Sequence, residues 1–188
     1  MNGFLWGVIV VWLKLSQTCS ATYSIIPRPS LPATFELVGR DSHGSAVIKY
    51  GFKLKQWFVT RGEYNYYGYF NSLSWCRSIG YQMPRVRDFT NSQCIGVMGG
   101  SGCEGSVGTT PSSSSNHYQR NINAGFLTEW GNLLNYPGAS CTDDHWTSDA
   151  TPDSERFDRF IVWIGTGEIY RYRSRDSSQT FCASVLKP

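Results

Sequence analysis

Three histidines, a run of acids and six cysteines are the side chains with the most chemistry in this sequence. His145 follows Asp143 and Asp144, an order in which a carboxylate can hold an imidazole for acid–base work. The bland alternative is a ring packed on a strand. His43 and His117 stand apart from it, and no Gly-x-Ser-x-Gly elbow supplies a nucleophile. Asp143, Asp144, Asp149, Asp153 and Glu155 bring together the hard oxygen atoms a divalent cation takes; the plainer reading is a solvated acidic loop. The glycines from Gly96 to Gly108 resemble a phosphate loop only loosely, because no Gly-Lys-Ser/Thr follows them. Tyr64, Tyr66, Tyr67, Tyr69 and Phe70 cluster in one short stretch. Such rings suit protein recognition, burying much area at small entropic cost, or they pack beneath a neighbouring helix.

The cysteines point away from metals. Cys76, Cys94, Cys103, Cys141 and Cys182 have neither C-x-x-C spacing nor a histidine at ligand distance. Disulfides in an oxidising compartment are the economical reading. Cys94 and Cys103 are near enough to staple the Gly-rich stretch, which leaves Cys141 over; Cys141 bonded to either is the rival pairing. The odd count also allows a free thiol, a bond between chains, or recruitment of Cys19.

Bulk properties narrow the classes further. The chain has 188 residues, 40% hydrophobic, 15% aromatic and 16% charged, enough apolar material for one core. A net charge of +3 with scattered Lys and Arg gives no footprint for nucleic acid. Phe4 to Leu13 is an apolar run of signal-peptide length, so residues 1–21 are expected to direct export. That segment lacks a leading Lys or Arg and carries Lys14 after the run, so a retained hydrophobic anchor is its alternative.

The elements that must position these residues follow from periodicity. Pro27, Pro29 and Pro32 stiffen a linker over residues 22–48, which also holds a lead-in strand from Thr34 to Val38. Ala46 to Val59 alternates, with Tyr50, Phe52 and Leu54 on one face and Lys49, Lys53 and Lys55 on the other. Leu73, Cys76 and Ile79 predict a short helix over Asn71–Gly80, capped by Ser72 and ended by Gly80. A second short helix is expected after Pro84, around Val86 and Phe89. From Asn91 to Asn123 the sequence reads as one long loop, functional or mobile. Phe126–Leu133 forms an apolar block and His145–Ser148 a strand. Phe160–Ile164 and Glu168–Tyr172 form a hairpin about Gly165-Thr166-Gly167, and Thr180–Leu186 is a last strand. Trp57, Trp130, Trp146 and Trp163 are expected in the core. There is no internal repeat.

Five blocks in this order resemble the C-type-lectin-like domain that ends bacterial adhesins of the invasin and intimin type. They are Trp75-Cys76, then Gly80-Tyr81-Gln82-Met83-Pro84, then Thr128-Glu129-Trp130-Gly131-Asn132-Leu133, then His145-Trp146-Thr147-Ser148, and last Phe181-Cys182-Ala183. The resemblance covers residues 49–188, and Phe35 to Phe58 is similar to the segment joining such domains to preceding immunoglobulin-like repeats.

The resemblance implies an α+β, C-type-lectin-like fold: a small twisted, mostly antiparallel sheet with two short helices, closed by a Cys76–Cys182 disulfide. It places His145 on the sheet where the family usually has Tyr. The Glu-Pro-Asn, Gln-Pro-Asp and Trp-Asn-Asp motifs of sugar-binding members are absent, so no cofactor is expected and a glycan partner is not favoured. The implied function is non-catalytic adhesion to a host or bacterial cell-surface protein by an exported chain, secreted or associated with the outer membrane. The acidic loop with Asp143, Asp144, Asp149 and Asp153, the Gly/Ser-rich loop, and Tyr66 with Tyr67 are the candidate contact residues. Attachment to a membrane is left open, as is a remnant of a longer adhesin without activity.

Overall fold

The computed structural model describes residues 4–7, 29–62, 65–95, 102–135, 144–152 and 158–184. Most of the expected leader, Pro27, Tyr64, Cys141, Asp143, Asp153, Glu155 and the last residues of the expected final strand lie outside the described residues. No helix among the described residues is long and apolar enough to cross a membrane.

The architecture is α+β, with small and mostly antiparallel sheets and a few short helices. At the N-terminal end β2 (Ala33–Arg40) and β3 (Ala46–Leu54) form an antiparallel ribbon. Inside the expected leader, β1 (Phe4–Gly7) lies parallel to β3, with Phe4 opposite Gly51. The turn between β2 and β3 is closed by Asp41, whose carboxylate accepts the backbone N–H groups of His43 and Ser45 at 2.9 Å. The alternation expected in β3 is present, but its burial is graded. Leu54 is buried, Phe52 is half-buried and stacks on Phe35, and Tyr50 is exposed. The ribbon packs on the domain only at its base.

A three-stranded sheet, β6 (Asp144–Ala150), β7 (Arg159–Trp163) and β8 (Ile169–Tyr172), forms the centre. Its two faces bury different residues, as period-two alternation requires. Phe160, Val162 and Ile169 belong to one apolar cluster, with Phe58, Phe89, Phe126 and Phe181. Trp146 and Ile161 belong to a second, with Leu54, Trp57, Tyr69 and Met83. Rings knit the first cluster: Phe58 stacks on Phe126 with centroids 4.7 Å apart, and Phe181 meets Phe126 edge-on at 5.6 Å. The expected core tryptophans divide accordingly. Trp57 and Trp146 are buried, while Trp130 and Trp163 are half-buried.

The flanking strands bring distant parts of the chain together. β4 (Phe58–Thr60) pairs with β10 (Phe181–Ala183), and β5 (Tyr67–Gly68) with β9 (Ser177–Ser178). The Cys76–Cys182 disulfide then fixes β10 to the first helix, α1 (Tyr69–Ser78), and both cysteines are fully buried. Cys94 and Cys103 are also bonded, stapling the start of the Gly-rich stretch against the first cluster.

Helix α1 begins two residues before the predicted start. Ser72 does not cap it: the Ser72 side chain is buried, 2.7 Å from the Thr180 hydroxyl, and the N-cap is Gly68 with no side-chain bond. The buried face is Tyr69, Ser72 and Cys76, at the helical spacing. Gly80, at φ 77°, ends the helix as predicted, with its N–H donating to Arg77 and that of Tyr81 to Cys76. The second helix, α2 (Val86–Phe89), opens after Pro84 as expected. Its first turn is held by two carboxylates: Asp88 accepts from the N–H of Arg85 and Asp149 from that of Val86, both at 2.8 Å. The apolar block becomes α3 (Phe126–Trp130) and a single 3-10 turn at Leu133–Asn135.

Candidate recognition surface

The segment read as one long loop, described over residues 91–95 and 102–123, is anchored there by buried side chains. Asn91 is the first anchor. Its Nδ2 donates to the carbonyls of Pro111 and Gln119 at 2.8 and 3.0 Å, and its Oδ1 accepts the N–H of Gln119 at 3.0 Å. Asn116 is the second, donating to the carbonyl of Ile169 at 3.0 Å and accepting its N–H at 2.9 Å. One asparagine side chain thus completes the outer edge of β8 as a neighbouring strand would. Backbone bonds from Thr109 to Thr90, Ser113 to Asn91 and Tyr118 to Thr166 fasten the rest. Gly108 has a packing reason: a Cβ there would sit 2.5 Å from the carbonyl oxygen of Ser92.

Asn116→Ala should leave both backbone groups of Ile169 without their partners in a buried site. A cost of about 2–4 kcal/mol is expected from two such orphaned groups. Urea melts measure the loss, and hydrogen exchange at the Ile169 amide should accelerate out of proportion to amides in α1.

Of the acidic cluster, Asp144 and Asp149 are described. Asp144 and Asp149 lie at the two ends of β6, each serving a different neighbour. Asp144 is buried; its carboxylate accepts the Tyr172 hydroxyl at 2.7 Å, and its carbonyl accepts from Ser178 and Gln179. Asp149 holds the start of α2. Of the expected acidic contact residues, these two make structural bonds from the strand, and Asp143, Asp153 and Glu155 lie outside the described residues. Among the described residues no group of three or more His, Cys, Asp or Glu could hold a metal ion.

Burial pushes the Asp149 carboxyl up, and Asp88 adds to this, against the Val86 N–H, Arg85 and Arg87. A raised folded-state value means that stability from this group is present below its unfolded value and is lost as pH rises through the folded one. Asp149→Asn keeps an oxygen for the Val86 N–H and removes the titration. The variant should therefore gain stability relative to the parent on going from about pH 3 to about pH 7. Asp149→Ala, which removes the cap, should lose about 1 kcal/mol. Paired urea melts at the two pH values check both.

The three histidines occupy three settings. His43 is in the exposed β2–β3 turn. His145 is fully buried and stacked on Phe181, with centroids 4.5 Å apart, as the packing alternative expected. His117 Nε2 lies 3.3 Å from the Glu168 carboxylate, which also accepts the Thr166 hydroxyl at 2.8 Å. Tyr170 is pushed up to about 12, first by burial and then by its bond to Glu168. Nothing in the spacing of the chain pairs His117 with Glu168; the loop–β8 clamp at the neighbouring Asn116 brings them together.

The tyrosines form the other exposed feature. Tyr66 is 41% exposed and Phe70 58%, whereas Tyr69 is buried and meets Trp146 edge-on. Tyr67 is half-buried, and its carbonyl accepts the Trp146 indole N–H at 2.8 Å. The Arg61 guanidinium lies over the Tyr67 ring, 3.5 Å from its centroid, with the Trp75 ring at 5.3 Å. Arg61 was not singled out in the sequence. It belongs to the short connection after β4, where its N–H donates to the Thr180 carbonyl at 3.1 Å.

No family model matches the sequence, and no curated protein matches it. The chain is similar in structure to the crystal structure of invasin, described as a bacterial integrin-binding protein, with a TM-score of 0.55 and 13% sequence identity. The match covers 88% of this chain and 29% of that one, so the chain spans under a third of the length of the structure it resembles. What this likeness establishes is the fold: the chain is built like part of invasin.

Proposed function

We propose that the protein is a non-catalytic adhesion module with a C-type-lectin-like fold, exported and binding a protein receptor at a cell surface. The observation that carries this reading is the invasin-like fold over most of the chain. Two internal disulfides support export, because such bonds persist in oxidising compartments. The anchored segment 102–123 supports recognition. Irregular backbone held by buried asparagines on a rigid scaffold is the usual setting for a binding surface. Tyr66 and Tyr67 belong to the proposed contact surface; Asp143 and Asp153 stay candidates on the sequence alone.

The test is capture of host-cell membrane proteins by the purified chain, with and without EDTA, followed by identification of the bound proteins. Saturable binding of one receptor, unchanged by EDTA, is the expected result. A defined glycan bound only with calcium, and no protein captured, would overturn the reading in favour of a lectin.

A further inference from the structure

Two arginines meet the same short segment of chain in the same way. Arg61 lies over Tyr67, and Arg159 over Tyr69, 4.6 Å from its centroid. Both are half-buried. Each has one nitrogen shut off from solvent with no hydrogen-bond acceptor, Nη1 in Arg61 and Nε in Arg159. The ion pairs among the described residues are Lys49–Glu36, Arg85–Asp88 and His117–Glu168, so neither arginine has a carboxylate there. Burial lowers the Arg61 pKa below the ordinary arginine value, against a smaller opposing effect of Tyr67.

More positive charge stands beside this segment. The turn after β8 is tied to the start of α1 by a bond from the Tyr69 N–H to the Ser174 carbonyl, and it carries the exposed Arg173 and Arg175. Its single acid, Asp176, is engaged by the N–H of Arg173. The exposed rings of Tyr66 and Phe70 border the patch.

Arg159 reaches only a backbone carbonyl, that of Asp158, from Nη1 at 3.3 Å. A guanidinium nitrogen stripped of its water without an acceptor is held at a cost, which an arriving carboxylate offsets. Its planar fork matches a carboxylate in two parallel bonds, and stacking on a ring fixes its orientation beforehand. Arginine with tyrosine and tryptophan is also the composition of residues that dominate protein–protein binding. We propose that the edge of the domain around residues 67–69 is the contact surface for an acidic segment of a protein partner, with Arg61 and Arg159 receiving its carboxylates. This rests on the adhesion reading and names the chemistry of the receptor it would take.

The probe is a short labelled peptide of alternating glutamate and alanine, titrated against the whole purified chain by fluorescence anisotropy. Its glutamine counterpart, a single-stranded oligonucleotide and phosphatidylserine vesicles are run beside it. The glutamate peptide should bind at least about tenfold more tightly than the glutamine one, the equivalent of one good charged contact. Arg61→Ala and Arg159→Ala should each weaken it severalfold. Arg61→Lys, which keeps the charge and loses the stacked fork, should weaken it too, with thermal melting showing that each variant folds. Unchanged affinity in all three variants, or tighter binding to the oligonucleotide or the vesicles, would overturn the proposal. If cell-surface capture is undiminished in both alanine variants, this surface is wrong while the adhesion reading stands. If the parent chain captures no cell protein yet binds the glutamate peptide through Arg61, adhesion is wrong and the acid-binding surface stands.

Discussion

Replacing Cys76 and Cys182 together with alanine is expected to lower stability by about 4–5 kcal/mol, on the chain-entropy account of cross-links. The bond joins residues 106 apart, so its loss frees most of the chain in the unfolded state. Both sulfurs are fully buried beside Tyr81, Met83 and Trp146, and truncation to alanine adds a small cavity. Domains of ordinary stability have about 5–15 kcal/mol in all, so the variant should be close to its folding threshold. In a thermal melt the midpoint should fall by roughly 10–20 °C. The second bond is the control. Cys94 and Cys103 are 9 apart, and the same account gives roughly 2.7 kcal/mol for Cys94→Ala with Cys103→Ala. If the two double variants melted alike, closure of the long loop would not be the source of the stability.

Trp146→Ala should cost about as much, roughly 3–5 kcal/mol for a buried aromatic. The ring is fully buried on the central sheet, edge-on to both Tyr69 and Tyr172. It also has a polar task, since its indole N–H is the donor to the Tyr67 carbonyl. Trp146→Phe separates the two roles. It keeps much of the apolar volume and removes the donor, so about 1–2 kcal/mol is expected. Because Tyr67 carries the Arg61 stack, Trp146→Phe should also loosen β5 while the rest of the domain stays folded. Hydrogen exchange across residues 65–68, compared with β7, reads this directly.

Local signals in the sequence carried much of the fold. Gly165-Thr166-Gly167 between two apolar runs placed the β7–β8 hairpin, and Pro84 placed α2, because turn chemistry and proline act within a few residues. The start of α1 was misplaced for a tertiary reason. Ser72 has the form of a cap, but Thr180, 108 residues away, takes its hydroxyl. Tyr50 was placed correctly by alternation and yet is exposed, because a periodic pattern assigns faces without showing what covers them. The site was less legible still. Asn91 and Asn116 look like ordinary loop residues, and only their bonds to Pro111, Gln119 and Ile169 show that they order the segment. Asp144 and Asp149 looked like neighbours in a loop; seen on β6, they serve Tyr172 and Val86.

The Cys76–Cys182 bond also decides how the molecule responds to tension. Pulled from its two ends, the chain can pay out only the residues outside the covalent loop, since the load crosses from α1 to β10 through sulfur. The segment between the two cysteines, which are 106 apart in sequence, stays out of the extended length. At about 3.5 Å per residue this hides roughly 370 Å of contour. The central sheet, the anchored segment and both arginine-bearing tyrosines do not share that protection equally. β6 to β8 and residues 102–123 lie within the loop, while Arg61, Tyr67 and Tyr69 precede Cys76 and lie on the strained side of it.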